Sequence, residues 1–173
     1  MRIDVIFDTI CPWCFLGKRR LEQALLQKPT ISAKIIWNGF FLNPHLPPEG
    51  IDRQDYLKAR FGNETRSNRI LEAIDEAGTS LGIDFQFSLI KRLPNTINSH
   101  RFVRFASRQG RGNDAVETLF QAYFSRGIDT GNRTVLYKLA EELGFERDDL
   151  RNYFYSDEDL EDIKDQNTRA HQL

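Results

Sequence analysis

Two cysteines separated by two residues are the groups in this chain best suited to do chemistry. Cys11 and Cys14 stand in the tetrapeptide Cys-Pro-Trp-Cys, and the 173-residue chain has no other cysteine. A thiolate attacks disulfides, whereas a free cysteine, with a pKa of about 8.5, is mostly protonated at neutral pH. Two thiols at this spacing can close a disulfide, and one can release a mixed disulfide formed by the other. The pair predicts thiol–disulfide exchange, in which Cys11 attacks and Cys14 resolves.

The sequence around the pair predicts that Cys11 lies where a strand ends and a helix begins. Residues 3–8 alternate and are rich in β-branched and aromatic types, which is typical of a short strand. Pro12 suits the first turn of a helix, and the apolar residues after it repeat at helical spacing. Unpaired N–H groups and the helix dipole favour an anion at such a position. Pro12 fixes the turn and Trp13 offers a flat surface, so both are predicted to bind substrate.

The rest of the chain divides at a proline-rich segment. A second strand is predicted over residues 31–41, so residues 1–42 form a βαβ half with parallel strands. Residues 43–50 contain three of the six prolines and mark a boundary. Residues 43–156 are predicted as an all-helical insertion, and residues 157–173 as a helix that leads back from it. The expected fold class is α/β, although two parallel strands usually need further strands to bury both faces.

Composition limits the classes of partner. The net charge is −1, with 24 basic and 25 acidic side chains, so no strong field attracts nucleic acid or an anionic membrane. No apolar run approaches the roughly 18 residues that a membrane span needs. The strand pattern begins at Met1 and leaves no room for a signal peptide, which predicts a cytoplasmic protein.

A metal site is the main structural alternative for two cysteines at this spacing. A tetrahedral zinc site needs two more ligands, and the histidines, His45, His100 and His171, are widely separated. We therefore expect no metal and no dissociable organic cofactor. His45 and His100 are candidate general bases, but a lone histidine is more often structural.

Charged residues near the cysteines have competing interpretations. Asp4 and Asp8 belong to the first strand, and an acid buried beneath Cys14 could act as its proton shuttle. The sequence does not settle which of the two lies inward. The basic run Lys18-Arg19-Arg20, one turn past the cysteines, could help to hold negative charge there, but a solvated helix face is the favoured prediction.

Five segments carry a resemblance to a known family. They resemble the DsbA-like oxidoreductases of the FrnE group and follow one another in the same order: FDTICPWCFLGKRRLE, FFLNPHLPPEG, YLKARFG, LPNTINSHRF and LFQAYFSRGIDTGN. The resemblance implies a thioredoxin-like fold interrupted by a helical domain, with Cys11 and Cys14 as the redox pair. It also implies that Asn43, Pro44, Asn95 and Thr96 line the substrate cleft. The expected partners are protein or small-molecule thiols and disulfides, with glutathione as a further redox partner.

The chain departs from this family at its end. Family members continue past a helix like TRAHQL into a cis-proline segment, two antiparallel strands and a helix, whereas here no proline follows Pro94. We therefore expect the C-terminal ββα half of the thioredoxin fold to be missing. An open sheet edge would then favour association, and a homodimer is among the expected partners.

Two rival functions follow from the same segments. Kappa-class glutathione transferases and 2-hydroxychromene-2-carboxylate isomerases share the architecture but typically carry serine where this chain has Cys11. Glutathione-dependent isomerase or transferase chemistry is therefore the first alternative. A non-catalytic module that binds partners or senses oxidation is the second.

Overall fold

The computed structural model describes residues 1–172. Its strands are β1 (Arg2–Phe7), β2 (Lys34–Gly39), β3 (Ile51–Asp52) and β4 (Arg92–Leu93). Its α-helices are α1 (Pro12–Leu26), α2 (Arg53–Phe61), α3 (Glu64–Thr79), α4 (Ile97–Arg108), α5 (Gly112–Phe120), α6 (Arg133–Glu142), α7 (Arg147–Tyr155) and α8 (Leu160–Ala170).

The predicted strand–helix–strand unit is present at the start of the chain. β1 pairs with β2 in parallel, with Arg2 opposite Lys34 and Phe7 opposite Gly39, and α1 connects the two strands. Because the strands are parallel, their carboxyl ends meet at the same edge of the sheet. The residues that follow β1, including the cysteines, and those that follow β2 therefore lie at the same edge of the sheet.

Helix α8 covers part of the outer edge of β2. The N–H of Gly39 donates to Oε1 of Gln166 at 2.9 Å, and the N–H of Phe41 donates to Oδ1 of Asn167 at 2.8 Å. Between them, the N–H of Phe40 donates to the carbonyl of Phe7 in β1 at 2.9 Å. Two side-chain amides thus satisfy backbone donors that a neighbouring strand would otherwise pair.

The middle of the chain is mostly helical. A 3₁₀ turn, Phe87–Leu89, lies between α3 and β4. Helix α5 ends at Phe120 and continues directly as a π-helical turn, Gln121–Ser125. Such π-helical turns are rare and often occur at functional sites.

Phenylalanine side chains join α1 to this helical part. The ring of Phe15, which is fully buried, stacks on Phe120 at 4.9 Å and on Phe124 at 6.0 Å between centroids. Buried aromatic pairs of this kind contribute about 0.5–1.5 kcal/mol beyond the area they bury. The helix that begins at the cysteines is therefore fixed against α5 and the π-helical turn.

The boundaries at residues 42 and 156 remain predictions. The last predicted segment, 157–173, contains α8, and its final residue, Leu173, lies outside the described residues. Across residues 1–172, no helix is both long and apolar enough to cross a membrane.

Candidate active site

Cys11 caps the amino end of α1. Its backbone is extended, with φ −91° and ψ 110°, and no side chain caps the helix. The N–H of Cys11 donates to the carbonyl of Asp8 at 3.1 Å, and its own carbonyl accepts from the N–H groups of Cys14 at 3.0 Å and Phe15 at 3.3 Å. Because Pro12 has no N–H, the first free donor of the helix is the N–H of Trp13. The geometry places Cys11 where a helix best stabilises an anion.

The two thiols have opposite pKa shifts. The hydrogen bond from the Cys14 side chain lowers the pKa of Cys11, and the backbone N–H groups of Cys14 and Trp13 lower it further, against the effects of burial and of the Asp8 charge. The same hydrogen bond raises the pKa of Cys14, together with burial and the Cys11 charge. Cys11 therefore ionises first, and Cys14 keeps its proton and stabilises the Cys11 thiolate.

Both cysteines are free, and each residue is half-buried. Between them, Pro12 is half-buried and Trp13 keeps 57 % of its surface exposed. An exposed tryptophan beside a nucleophile is an apolar surface that an incoming substrate can cover. These four consecutive residues form the centre of the candidate site.

The loop after β2 approaches the site through Asp8. The N–H of Leu42 donates to Oδ2 of Asp8 at 2.8 Å, so the loop that carries Asn43 and Pro44 begins beside the cysteine loop. Asn43 is half-buried and Pro44 is exposed. The carbonyl of Asn43 accepts from the N–H of Leu46 at 3.3 Å.

The other predicted cleft residues contact this loop from the start of α4. Nδ2 of Asn95 donates to the carbonyl of Leu46 at 2.8 Å, while Thr96 is buried and its carbonyl accepts from Oγ of Ser99. The structure thus brings together the loop of Asn43 and the turn of Asn95. Within residues 1–172, no hydrogen bond joins either segment to the cysteines, so their role in binding remains a prediction.

Helix α4 also supports the residues just before Cys11. Oγ1 of Thr9 and Oγ of Ser99 are 2.7 Å apart and buried. Next to them, Oδ1 of Asp8 lies 3.4 Å from Nε2 of His100, and both side chains are at most 2 % exposed. Of the two acids in the first strand segment, Asp8 is therefore the inward one, and Asp4 is exposed.

The basic run after the cysteines is not a uniformly solvated face, so that prediction was wrong. Lys18 is only 3 % exposed, and its Nζ binds Glu22 and also Glu117 of α5, the latter at 2.7 Å. Arg19 binds the same two carboxylates, whereas Arg20 is exposed. We call Lys18, Arg19, Glu22 and Glu117 the α1–α5 ion cluster. Burial raises the pKa of Glu117, but hydrogen bonds from Arg19 and Lys18 outweigh it and bring the pKa to about 2.

A metal site at the two cysteines would need further ligands close to them. Among the described residues, no group of three or more histidine, cysteine, aspartate or glutamate side chains is arranged to hold a metal ion.

The fold agrees with a comparison against protein families. The DSBA-like thioredoxin domain matches residues 2–173, and the chain belongs to this family. Its sequence is also similar to the uncharacterized protein YwbO of Bacillus subtilis, at 27 % identity over 146 residues, which are 84 % of this chain and 68 % of that protein.

Solved structures show the same fold at low sequence identity. The probable DsbA oxidoreductase SCO1869 from Streptomyces coelicolor superposes with a TM-score of 0.88 at 20 % identity, covering 100 % of this chain and 76 % of that one. A 2-hydroxychromene-2-carboxylate isomerase gives 0.72 at 17 % identity, covering 98 % and 79 %. The cytosolic disulfide reductase DsbM from Pseudomonas aeruginosa gives 0.69 at 15 % identity, covering 100 % and 78 %. These likenesses confirm the predicted DsbA-like thioredoxin fold.

Proposed function

We propose that this chain catalyses thiol–disulfide exchange through Cys11-Pro12-Trp13-Cys14. The observation that carries the proposal is the asymmetry of the pair: Cys11 lies at the helix start with a lowered pKa, and Cys14 has a raised one. A lowered pKa supplies the attacking thiolate at neutral pH. The raised pKa of Cys14 keeps its thiol protonated until Cys11 has formed the mixed disulfide.

The exchange proceeds in two balanced steps. The Cys11 thiolate attacks a substrate disulfide, which forms a mixed disulfide at Cys11 and releases one substrate thiolate. Cys14 then gives up its proton and attacks the Cys11 sulfur, which releases the second substrate thiolate and leaves the Cys11–Cys14 disulfide. Run backwards, the same steps reduce the Cys11–Cys14 disulfide and oxidise two substrate thiols.

We propose protein or small-molecule thiols and disulfides as substrates, without a metal or a dissociable cofactor. The exposed indole of Trp13 would contact the substrate beside Pro12, with Asn43, Pro44, Asn95 and Thr96 along the cleft. Glutathione is the proposed redox partner, and a structure of the similarly folded DsbM with GSH supports testing it first. Membership of the FrnE group, a cytoplasmic location and a homodimer belong to the same proposal.

The experiment follows the glutathione-dependent reduction of a mixed disulfide between glutathione and a peptide. We expect the wild-type chain to catalyse it and Cys11→Ser to lose catalysis by at least about a thousandfold, because the attacking sulfur is gone. Cys14→Ser should still accumulate the mixed disulfide at Cys11, visible by mass spectrometry. Equal rates for wild type and Cys11→Ser would contradict the proposal.

Glutathione-dependent isomerisation is a second candidate, favoured by the shared fold with the isomerase structure. In such chemistry glutathione forms an adduct with a small electrophile and no disulfide changes. Turnover of that kind retained in Cys11→Ser would support the isomerase. A Cys11 alkylation midpoint at the ordinary thiol value, without turnover, would instead support a non-catalytic module.

A further inference from the structure

Arginines without a binding partner are concentrated at the corner between α2 and α3. Most arginine side chains of the chain bind a carboxylate, a backbone carbonyl or an aromatic ring, as Arg108 of α4 binds Asp159. Among the described residues, the guanidiniums that have no such partner are those of Arg20, Arg60, Arg66 and Arg69. All of these except Arg20 lie within residues 60–69, so the unpaired positive charge is local.

The charge of this corner differs from that of the whole chain. Residues 58–69 contain four basic side chains and one acidic side chain, whereas the net charge of the chain is −1. Lys58 and Arg60 occupy the last turn of α2, where the helix dipole favours a cation. Arg66 lies in the first turn of α3, which Asn63 caps, and there the dipole disfavours a cation. Because helix formation does not account for Arg66, its position indicates a role in binding.

A cleft runs along this corner. It has a volume of about 670 Å³ and is lined by Asn63, Thr65, Arg66, Arg69 and Ile70, which we call the α2–α3 cleft. Sites for small molecules have volumes of about 300–1,000 Å³. Arg66 and Arg69 are neighbours on one face of α3, with Cβ atoms about 5–6 Å apart. Ile70 is half-buried and adds an apolar surface beside the two guanidiniums.

The free donors of the cleft are side chains and not the end of the helix. The N–H of Arg66 already donates to Oδ1 of Asn63 at 2.8 Å, so the cap of α3 lies within the chain. A guanidinium presents a planar fork of N–H groups that matches two oxygens of a phosphate. Two such forks on neighbouring turns can bind one phosphate dianion from two sides.

We propose that the α2–α3 cleft binds a phosphorylated small molecule, with its phosphate between Arg66 and Arg69 and its organic part over Ile70. Arg60 and Lys58 strengthen the positive field that attracts the anion. The lining residues belong to the corner of α2 and α3 and not to the cysteine segment. The inference therefore goes beyond the proposed exchange function and does not depend on it.

The test uses phenyl phosphate, which joins a phosphate to an apolar ring, as the probe. It is titrated into the full chain at constant ionic strength, because salt screens exposed charges. Nuclear magnetic resonance follows the amides of Asn63, Thr65 and Ile70 and the guanidinium Nε–H groups of Arg66 and Arg69. We expect saturable shifts at these groups with phenyl phosphate, weaker binding of inorganic phosphate, and no shifts with phenol.

Variants of the two arginines separate specific binding from general attraction. Arg66→Gln and Arg69→Gln should each weaken the binding of phenyl phosphate by about tenfold, the effect of losing one charge-assisted contact. Arg66→Lys keeps the charge without the fork, so it should recover only part of that loss. Arg20→Gln removes an exposed, unpartnered arginine of α1 and is the matched control, which should bind as the wild type does.

Shifts that rise linearly without saturation would overturn the inference, as would equal affinities in Arg20→Gln and Arg66→Gln. Equal affinities for phenyl phosphate and inorganic phosphate would overturn the placement of an organic group over Ile70. The side chains of Arg66 and Arg69 are exposed, so we expect both variants to melt cooperatively as the wild type does. Failure of this binding would leave the proposed exchange at Cys11 and Cys14 standing, because the exchange is measured with a disulfide substrate.

Discussion

Two groups of buried ionisable side chains lie around the start of α1, and they differ in how completely they are paired. In the α1–α5 ion cluster, the buried ammonium of Lys18 binds two carboxylates, Glu22 and Glu117. In the Asp8–His100 pair, the two facing atoms are buried and have no hydrogen-bond partner within the part of the chain that the structure describes. One group has its charges paired, and the other is a close polar contact without a hydrogen bond.

The difference separates a structural role from a chemical one. A buried charge with several partners holds two elements together, here α1 and α5, and resists any change of protonation. A buried donor and acceptor that face each other without a hydrogen bond contribute less to stability. Departures from complete hydrogen bonding are expected at functional sites. Four predictions test this contrast.

The largest effect is expected for Glu117→Gln, which removes the carboxylate shared by Lys18 and Arg19. Lys18 keeps Glu22, and the Glu117 side chain is 29 % exposed, so we expect a loss of about 2 kcal/mol of unfolding free energy, below the 3–5 typical of a fully buried pair. Urea denaturation at neutral pH measures it. Glu161→Gln, which breaks the exposed pair with Lys164, should change it by less than about 0.5 kcal/mol. Equal losses of unfolding free energy in Glu117→Gln and Glu161→Gln would show that the buried cluster stabilises the fold no more than an exposed ion pair does.

The same cluster predicts a pH dependence of stability. The folded-state pKa of Glu117, about 2, lies below its ordinary value of 4.5, so its stabilisation is complete above 4.5 and is lost as the pH falls through 2. We expect the difference in unfolding free energy between wild type and Glu117→Gln to shrink by about half at about pH 3. A difference that stays constant down to that pH would show that Glu117 is not the titrating group.

A smaller effect is expected for Gly39→Ala, which crowds His100. The added Cβ would lie 3.3 Å from the imidazole, so we expect a loss of about 1 kcal/mol of unfolding free energy, measured by urea denaturation. Gly17→Ala is the matched control, because nothing lies within 4 Å of its Cβ and it is inside α1. That variant should stabilise the chain slightly. Equal unfolding free energies of the two alanine variants would show that the added Cβ at position 39 does not crowd the imidazole.

The smallest effect on stability is expected for Asp8→Asn. The isosteric amide can still accept from the N–H of Leu42, so we expect the unfolding free energy to change by less than about 1 kcal/mol. Removing the negative charge should lower the pKa of Cys11 further, so its alkylation by iodoacetamide near neutral pH should become faster. Slower alkylation in a folded variant would contradict this expectation, because Asp8 would then stabilise the Cys11 thiolate.

The parts of the fold predicted from sequence are those determined by local pattern. The alternation in residues 3–8 and the proline after Cys11 predict a strand and a helix start, and the structure has β1 and α1 at those places. The second strand is shorter than predicted, 34–39 in place of 31–41, because β-branched composition does not tell where pairing ends. The family resemblance was confirmed for the DsbA-like fold.

The parts that the sequence could not predict depend on residues far apart in the chain. Lys18 is buried because Glu117, 99 positions away, lies against it, and the local charge pattern of α1 indicates only a solvated face. Asp4 and Asp8 share one parity in the alternation, yet β1 ends at Phe7, so Asp8 turns inward toward His100. The roles of the predicted cleft residues remain predictions for the same reason, since no substrate contact follows from local pattern.

The capping of β2 by α8 has a consequence for how this edge opens. The amide protons of Gly39 and Phe41 are held by the side chains of Gln166 and Asn167, whereas that of Phe40 is held by the carbonyl of Phe7. Deuterium therefore reaches the first two when α8 lifts off, and the third only when the strands separate. Hydrogen exchange at these three consecutive amides therefore distinguishes the detachment of α8 from the separation of β1 and β2.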